Sequence, residues 1–273
     1  GLTDGLGFGD YQPDETVPPV EVSLANPRAS SGEPAAIAVG RKPGSEWVYS
    51  GGGYLILELL VEEVSGESFE AFTRHAILEP LGMTRSGYRY LGEMNNSAGS
   101  HDARGQSATV YRYACKAATA FSTSAHDLTR FVLAQLPGAA DKPLRQTTID
   151  AMREPQASVM GLDIWGLGTI LYAATASGDH VFGHDGVNEP AINSTARVNL
   201  DTGDAIIVLE TGDPSLATVL GFHWVFWQTG RPDFIGLPGE LRRVVPVLLG
   251  GALGILVLGG VLTRRARQAR SAG

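Results

Sequence analysis

The order of segment textures predicts an α+β domain followed by one membrane-spanning helix. Three observations carry this prediction. Helix-period apolar residues occupy the middle of the chain, short β-rich segments separated by turns follow Trp165, and a 19-residue uncharged run lies near the C-terminus. Helices first and an antiparallel meander afterwards are the order of an α+β layer architecture.

Residues 1–46 are rich in Gly, Pro, Ser and Asp without a sustained period, so they read as one long surface loop. Pro43-Gly44 makes a turn at its end. From Tyr54 to Val64 apolar residues recur at helical spacing: Leu55 and Leu59, with Ile56, Leu60 and Val64 on the adjoining strip. Gly66 stops that helix. Ser68 caps the next one, which turns Phe69, Phe72 and Ile77 inward and ends before Pro80. Ser124 with Asp127 is a capping pair opening a helix over Ala125–Leu136, and Pro137-Gly138 closes it. Gly168–Tyr172, Val181–His184, Ile192–Val198 and Ala205–Leu209 read as strands, with Asp201–Asp204 as a hairpin turn. Leu216–Trp227 reads as a final apolar helix packed on the sheet, too short to cross a membrane. The chain contains no internal repeat.

Val244 to Leu262 reads VVPVLLGGALGILVLGGVL. As a helix it spans roughly 28 Å, close to the ~30 Å hydrocarbon core of a bilayer. Arg264, Arg265, Arg267 and Arg270 follow it, and Arg242 and Arg243 precede it. The larger basic cluster predicts a cytoplasmic C-terminus and a domain outside the cytoplasm. Gly250 and Gly254 form a Gly-x-x-x-Gly spacing that allows weak dimerisation.

The 273 residues carry a formal charge of −8. Six of the 21 basic residues lie after Leu241, leaving 15 against all 29 acids in residues 1–240. That balance of −14 excludes nucleic acid as a partner, since phosphate binding needs a basic face. Cys115 is the one cysteine, so there is no intramolecular disulfide, and it reads as a buried small apolar residue. No Cys/His cluster has metal-ligand spacing.

The stretch Trp47 to Met83, with Tyr49-Ser50-Gly51 at its head, resembles the middle of a serine β-lactamase-like hydrolase of the class C type. That group includes penicillin-binding proteins and related esterases. In it a Tyr-x-Asn tyrosine handles protons for a serine carried by an earlier Ser-x-x-Lys motif. His184-Asp185-Gly186, some 135 residues after Tyr49, resembles the His-x-Gly form of the group's Lys-Thr-Gly motif on an edge strand. The resemblance implies Tyr49 and His184 as catalytic residues. It implies Ser50, Gly51, Asp185, Gly186 and Val187 as substrate-binding positions, with the Val187 N–H as one oxyanion donor. Gly51 stands where the motif has Asn, which argues against efficient β-lactam turnover. Ala120–Ser124 also looks like a turn of the group, in a structural role.

No Ser-x-x-Lys exists in the sequence. The lysines are Lys42, Lys116 and Lys142, and three residues before them stand Val39, Tyr113 and Ala139. A phenol with an ordinary pKa of ~10 is a poor base at neutral pH without a neighbouring cation. No basic segment followed by an apolar core opens the chain. Together these lead to the expectation of an N-terminally truncated member of the group, inactive as written.

The expected fold is an antiparallel sheet flanked by helices, with an inserted helical region, β-lactamase/transpeptidase-like and incomplete. Residues 1–240 are the partial hydrolase domain, 244–262 the transmembrane helix, and 263–273 a basic cytoplasmic tail. The expected function is acyl transfer on a peptide or small-molecule ester substrate, without cofactor or metal, at the cell membrane. The alternative is a non-catalytic module that holds peptide or cell-wall fragments.

Overall fold

The computed structural model of the protein describes residues 1–2, 10–26, 37–140, 142–188, 190–234 and 236–271. The loop expected over residues 1–46 is interrupted where described. β1 (Asp10–Tyr11) and α1 (Val20–Ala25) lie within it; the rest of that expectation, residues 3–9 and 27–36, falls outside the described residues. Burial explains both elements. Tyr11 and Val20 join Leu55 and Cys115 in one core cluster, which a local period of two or six residues cannot announce.

α2 (Gly51–Ser65) begins three residues before its apolar period, because Gly51, Gly52 and Gly53 carry no side chains to show one. Ser50 caps it by accepting the Gly53 N–H at 3.2 Å, and Gly66 ends it in the left-handed region at φ 71°. Leu55 and Glu58 turn inward. The adjoining strip Ile56, Leu60 and Val64 does not, as only the Leu55–Leu59 side meets Tyr11 and Cys115. α3 (Phe69–Thr73) is capped by Ser68 and runs into a π-helical turn over Arg74–Leu78.

A short 3₁₀ turn, Leu91–Glu93, precedes β2 (Arg112–Tyr113), which pairs with β1. α4 (Ala125–Leu133) is capped by Ser124, as its spacing predicts. The Asp127 carboxylate is directed outside the helix, where it takes the Arg85 N–H at 2.7 Å and the Ser86 hydroxyl at 2.9 Å. It thereby ties the segment after α3 to α4. α5 (Gln146–Arg153) is unannounced in sequence, since only Ile149 of its eight residues is buried.

Six antiparallel strands follow in chain order: β3 (Ala157–Val159), β4 (Leu162–Trp165), β5 (Ile170–Ala174), β6 (His180–Asn188), β7 (Ile192–Asn199) and β8 (Asp204–Thr211). The meander begins two strands earlier than the sequence texture shows. Both early strands are only three and four residues long, too short to show the apolar alternation that marks a strand.

α6 (Leu216–Thr229) covers one face of the sheet, Val225 packing with Ile170, Tyr172 and Val181. α4 covers the other, Val132 packing with Leu171, Phe182 and Val198. The two clusters use alternate residues of the same strands, the period-two consequence of the pleat.

α7 (Leu237–Ser271) continues as a single 35-residue helix through Pro246. Its stretch Val244–Leu262 is wholly exposed and, among the described residues, is the one helix long and apolar enough to cross a membrane. Gly250 and Gly254 lie within it with nothing against them. The architecture is an α+β fold with antiparallel sheets and helices.

Candidate active site

Tyr49 ends the segment that enters α2, one residue before the capping Ser50. His184 stands on β6. The fold brings them together across the chain, with ring centroids 6.4 Å apart. Two tryptophans that sequence reasoning missed complete the corner. The Trp165 ring stands 5.6 Å from Tyr49 and 5.7 Å from His184, edge-on to both, and Trp47 stands 5.2 Å from Trp165. Edge-to-face packing at such separations is favourable for aromatic rings, so this cluster fixes the entry into α2 against the end of β4. Trp47 sat beside the tyrosine motif in sequence, but Trp165 had no signal except its own size.

Desolvation raises the Tyr49 pKa above its ordinary value, and no neighbouring cation among the described residues offsets it. The phenol is therefore a proton donor at neutral pH, and becomes a base only beside a positive charge. Tyr54 lies close by. Burial raises its pKa, with a further push from Tyr49, and its hydroxyl approaches Gly168 so closely that a Cβ there would stand 2.9 Å away. The His184 Nδ1 contacts the carbonyl of Asp185 at 2.5 Å, which orients the ring.

β6 is not the edge strand that the motif implies. It lies between β5 and β7. Pairing with β5 stops at Gly183 opposite Ile170, whereas pairing with β7 continues through His184, Asp185, Gly186 and Val187. The motif residues extend past their β5 neighbour and so have edge character in this half of the strand alone.

Of the five substrate-binding candidates, two have other structural duties. Ser50 Oγ serves as the cap of α2. Asp185 turns its carboxylate to the face opposite His184. There it pairs with Arg197 at 2.6 Å and accepts the hydroxyls of Tyr172, at 3.0 Å, and Thr195. Its carboxylate is thereby engaged by the scaffold. Gly51 is buried as the first residue of α2. Gly186 is tightly placed: a Cβ on it would stand 2.6 Å from Ser194 Oγ, and its carbonyl accepts the Asn193 amide at 2.9 Å. Val187 is exposed.

The Asp185 cluster was invisible in sequence. Arg197 and Asp233 are fully buried and paired at 2.6 Å. The Arg197 guanidinium lies 3.8 Å above the Tyr172 ring. Burial alone would lower the arginine pKa, but Tyr172, Asp185 and Asp233 hold it above the ordinary value. The cluster binds β5, β6 and β7 to the segment that follows α6.

Beside Gly186 and Val187 opens a cavity of about 2000 Å³ between the helical region and the ends of β6, β7 and β8. Glu58, Tyr88, Lys116 and Ser122 line its far side. Glu58 is fully buried, accepts the Ala117 N–H at 2.9 Å, and has its pKa raised by burial. Burial, with Glu58 next in weight, pushes the Cys115 thiol up to about 12, so it is inert as a nucleophile. Among the described residues no group of His, Cys, Asp and Glu side chains could hold a metal ion.

A family model described as Beta-lactamase matches residues 7–224. A putative penicillin-binding protein, PbpX of Bacillus subtilis (strain 168), is 29% identical over 82 residues, covering 30% of this chain and 17% of that protein. The octameric penicillin-binding protein homologue from Pyrococcus abyssi is similar in structure, with a TM-score of 0.54 and 25% identity over 67% of this chain and 44% of that one. A penicillin-binding protein from Bacillus halodurans gives a TM-score of 0.57 at 20% identity, covering 69% and 59%. A class C beta-lactamase gives 0.51 at 15%, covering 62% and 53%. The chain thus spans less than two thirds of the length of each of these proteins.

Proposed function

This chain belongs to the beta-lactamase family, and on that premise we propose that it is the tyrosine- and histidine-bearing part of a membrane-anchored, extracytoplasmic serine hydrolase of peptidase or esterase type. The observation that carries the reading is the meeting of Tyr49 and His184 across 135 residues, in the order the two motifs require. Acyl transfer needs a nucleophile, proton transfer and oxyanion donors. Tyr49 supplies proton transfer once a cation lowers its pKa. His184 is the neighbouring side chain in this corner, and the backbone at Val187 offers an N–H to the oxyanion. The nucleophilic serine is absent from residues 1–273. A cavity of about 2000 Å³ lies beside Val187, between the helical region and the sheet. That is where the resemblance puts a serine-bearing helix.

Gly51 at the Asn position favours ester or simple peptide substrates over β-lactams. Gly-x-x-x-Gly in α7 supports weak dimerisation of the anchor, and Val244–Leu262 supports a single membrane pass. The second reading is a binding module without catalysis, favoured by the missing Ser-x-x-Lys.

Incubation with an activated fluorophosphonate and a fluorescent penicillin, followed by peptide mass spectrometry, tests the assignment. Residues 1–273 should acquire no labelled serine. A form extended to carry Ser-x-x-Lys should be labelled there, and Tyr49→Phe should slow that acylation by ~10²–10⁴. Stoichiometric labelling of 1–273, or an extended form indifferent to Tyr49→Phe, would overturn the site. For the topology, a cysteine placed in the Asp201–Asp204 turn should react with an impermeant thiol reagent in intact cells, and one placed after Arg267 should not.

A further inference from the structure

α6 is apolar on two sides, and only one of them has a protein partner. At 100° per residue, Leu216, Leu220, His223 and Trp227 fall on one stripe, and the buried Gly221, Phe222 and Val225 lie on the opposite side, where Val225 packs on the sheet. The outer stripe is open to its surroundings: Leu216 is 44% exposed, Leu220 42% and Trp227 74%, with Phe226 beside them at 53%. A helix apolar all round is ordinarily buried all round, and contiguous exposed apolar surface marks an interaction face.

We propose that this outer face of α6 lies in the headgroup layer of the membrane, so that the domain is seated on the lipid surface. The inference rests on the reading that α7 crosses the bilayer. What selects lipid as the occupant is the connection between α6 and α7, which is short and held at two points. Asp233 is locked to Arg197 at 2.6 Å. Gly236 lies against the Phe222 ring, where a Cβ would stand only 2.3 Å from it. α7 begins at the next residue, Leu237, and its apolar run starts at Val244. Seven helical residues advance about 10 Å, and the headgroup layer is roughly 5–8 Å deep on each side. α6 is therefore held within reach of that layer.

The residue types also fit. Trp and His have an apolar body with a polar edge, as the interface demands. Arg231 in the connection and Arg242 in the second turn of α7, both exposed, suit the phosphate level. A second copy of the chain is the weaker occupant. Four or five such side chains present on the order of 400 Å², about half of what one partner buries in a standard interface.

The test is tryptophan quenching in the full chain reconstituted into phosphatidylcholine vesicles that contain lipid brominated near the headgroup. Wild-type emission should be quenched, and Trp227→Phe should remove most of that quenching, Trp227's own contribution falling at least twofold with brominated lipid. A chain that fails to float with the vesicles would overturn both the membrane reading and this one. A chain that floats, but whose quenching is unchanged by Trp227→Phe, would overturn the seating of α6 alone. So would efficient Leu220→Cys cross-linking between copies, which would assign the stripe to a dimer.

Discussion

His184 and Asp185 are neighbours on β6, yet they belong to different regions of the molecule. His184 faces an open aromatic corner built from Tyr49, Trp165 and Trp47, held by ring contacts and a single contact to backbone. Asp185 faces a closed polar cluster in which Arg197, Asp233, Tyr172 and Thr195 satisfy one another. The corner is largely exposed and loosely bonded, as the proposed role at the site would require. Arg197 and Asp233 are fully buried, and their charges are tolerable there because each is paired. The three residues are thus contiguous in sequence but split in space, His184 facing the aromatic corner and Asp185 the polar cluster on the other side of the strand.

The largest test of this division is Arg197→Ala. It leaves Asp185 and Asp233 buried without their counter-charge, so unfolding free energy should fall by about 3–5 kcal/mol, read from urea denaturation of the full chain in micelles. Equal stability of variant and wild type would mean that the cluster is not the scaffold. His184→Ala sharpens the contrast, because it removes an exposed side chain. Its stability cost should stay within ~0.5 kcal/mol, so the same denaturation curve should hardly move. A cost approaching that of Arg197→Ala would erase the distinction between the two faces.

An effect of intermediate size concerns another buried ionisable residue, Glu58 on α2. Its folded pKa is raised by burial, so the protonated form is favoured in the folded state. The stability it contributes is fully present below the unfolded glutamate value and is lost as pH rises through the folded pKa. Glu58→Gln should therefore raise Tm at pH 8 by roughly 2–4 °C, the shift ~1 kcal/mol makes in a domain of this size. The gain should vanish below about pH 4. A gain that persists unchanged in acid would show that ionisation of Glu58 is not its source.

Local chemistry made several features legible from sequence. Ser68 and Ser124 cap the helices they were expected to cap, and Gly66 ends α2 in the left-handed region. Four strands and their order followed from β-rich segments between turns. The α6 helix followed from its apolar content, and the Val244–Leu262 run from its length and lack of charge. Tyr49 and His184 were singled out through family motifs, and the fold brings their rings to 6.4 Å. α1, β1 and β3 were not, because elements of two to six residues carry too little periodicity.

What the sequence by itself determined is therefore whatever depends on neighbours a few residues apart: caps, helix ends, strand textures, the apolar run and the missing Ser-x-x-Lys. Only the tertiary structure decided which apolar strip of α2 is buried, that β6 is flanked on both sides up to Gly183, and that Asp185 turns away from His184 towards Arg197 and Asp233. The physical reason is range. Capping and periodicity act within one or two turns of the chain. The pairing of buried charges, the edge-on contact of Trp165 with Tyr49 and His184, and strand register depend on surfaces that meet only after the chain has folded back on itself.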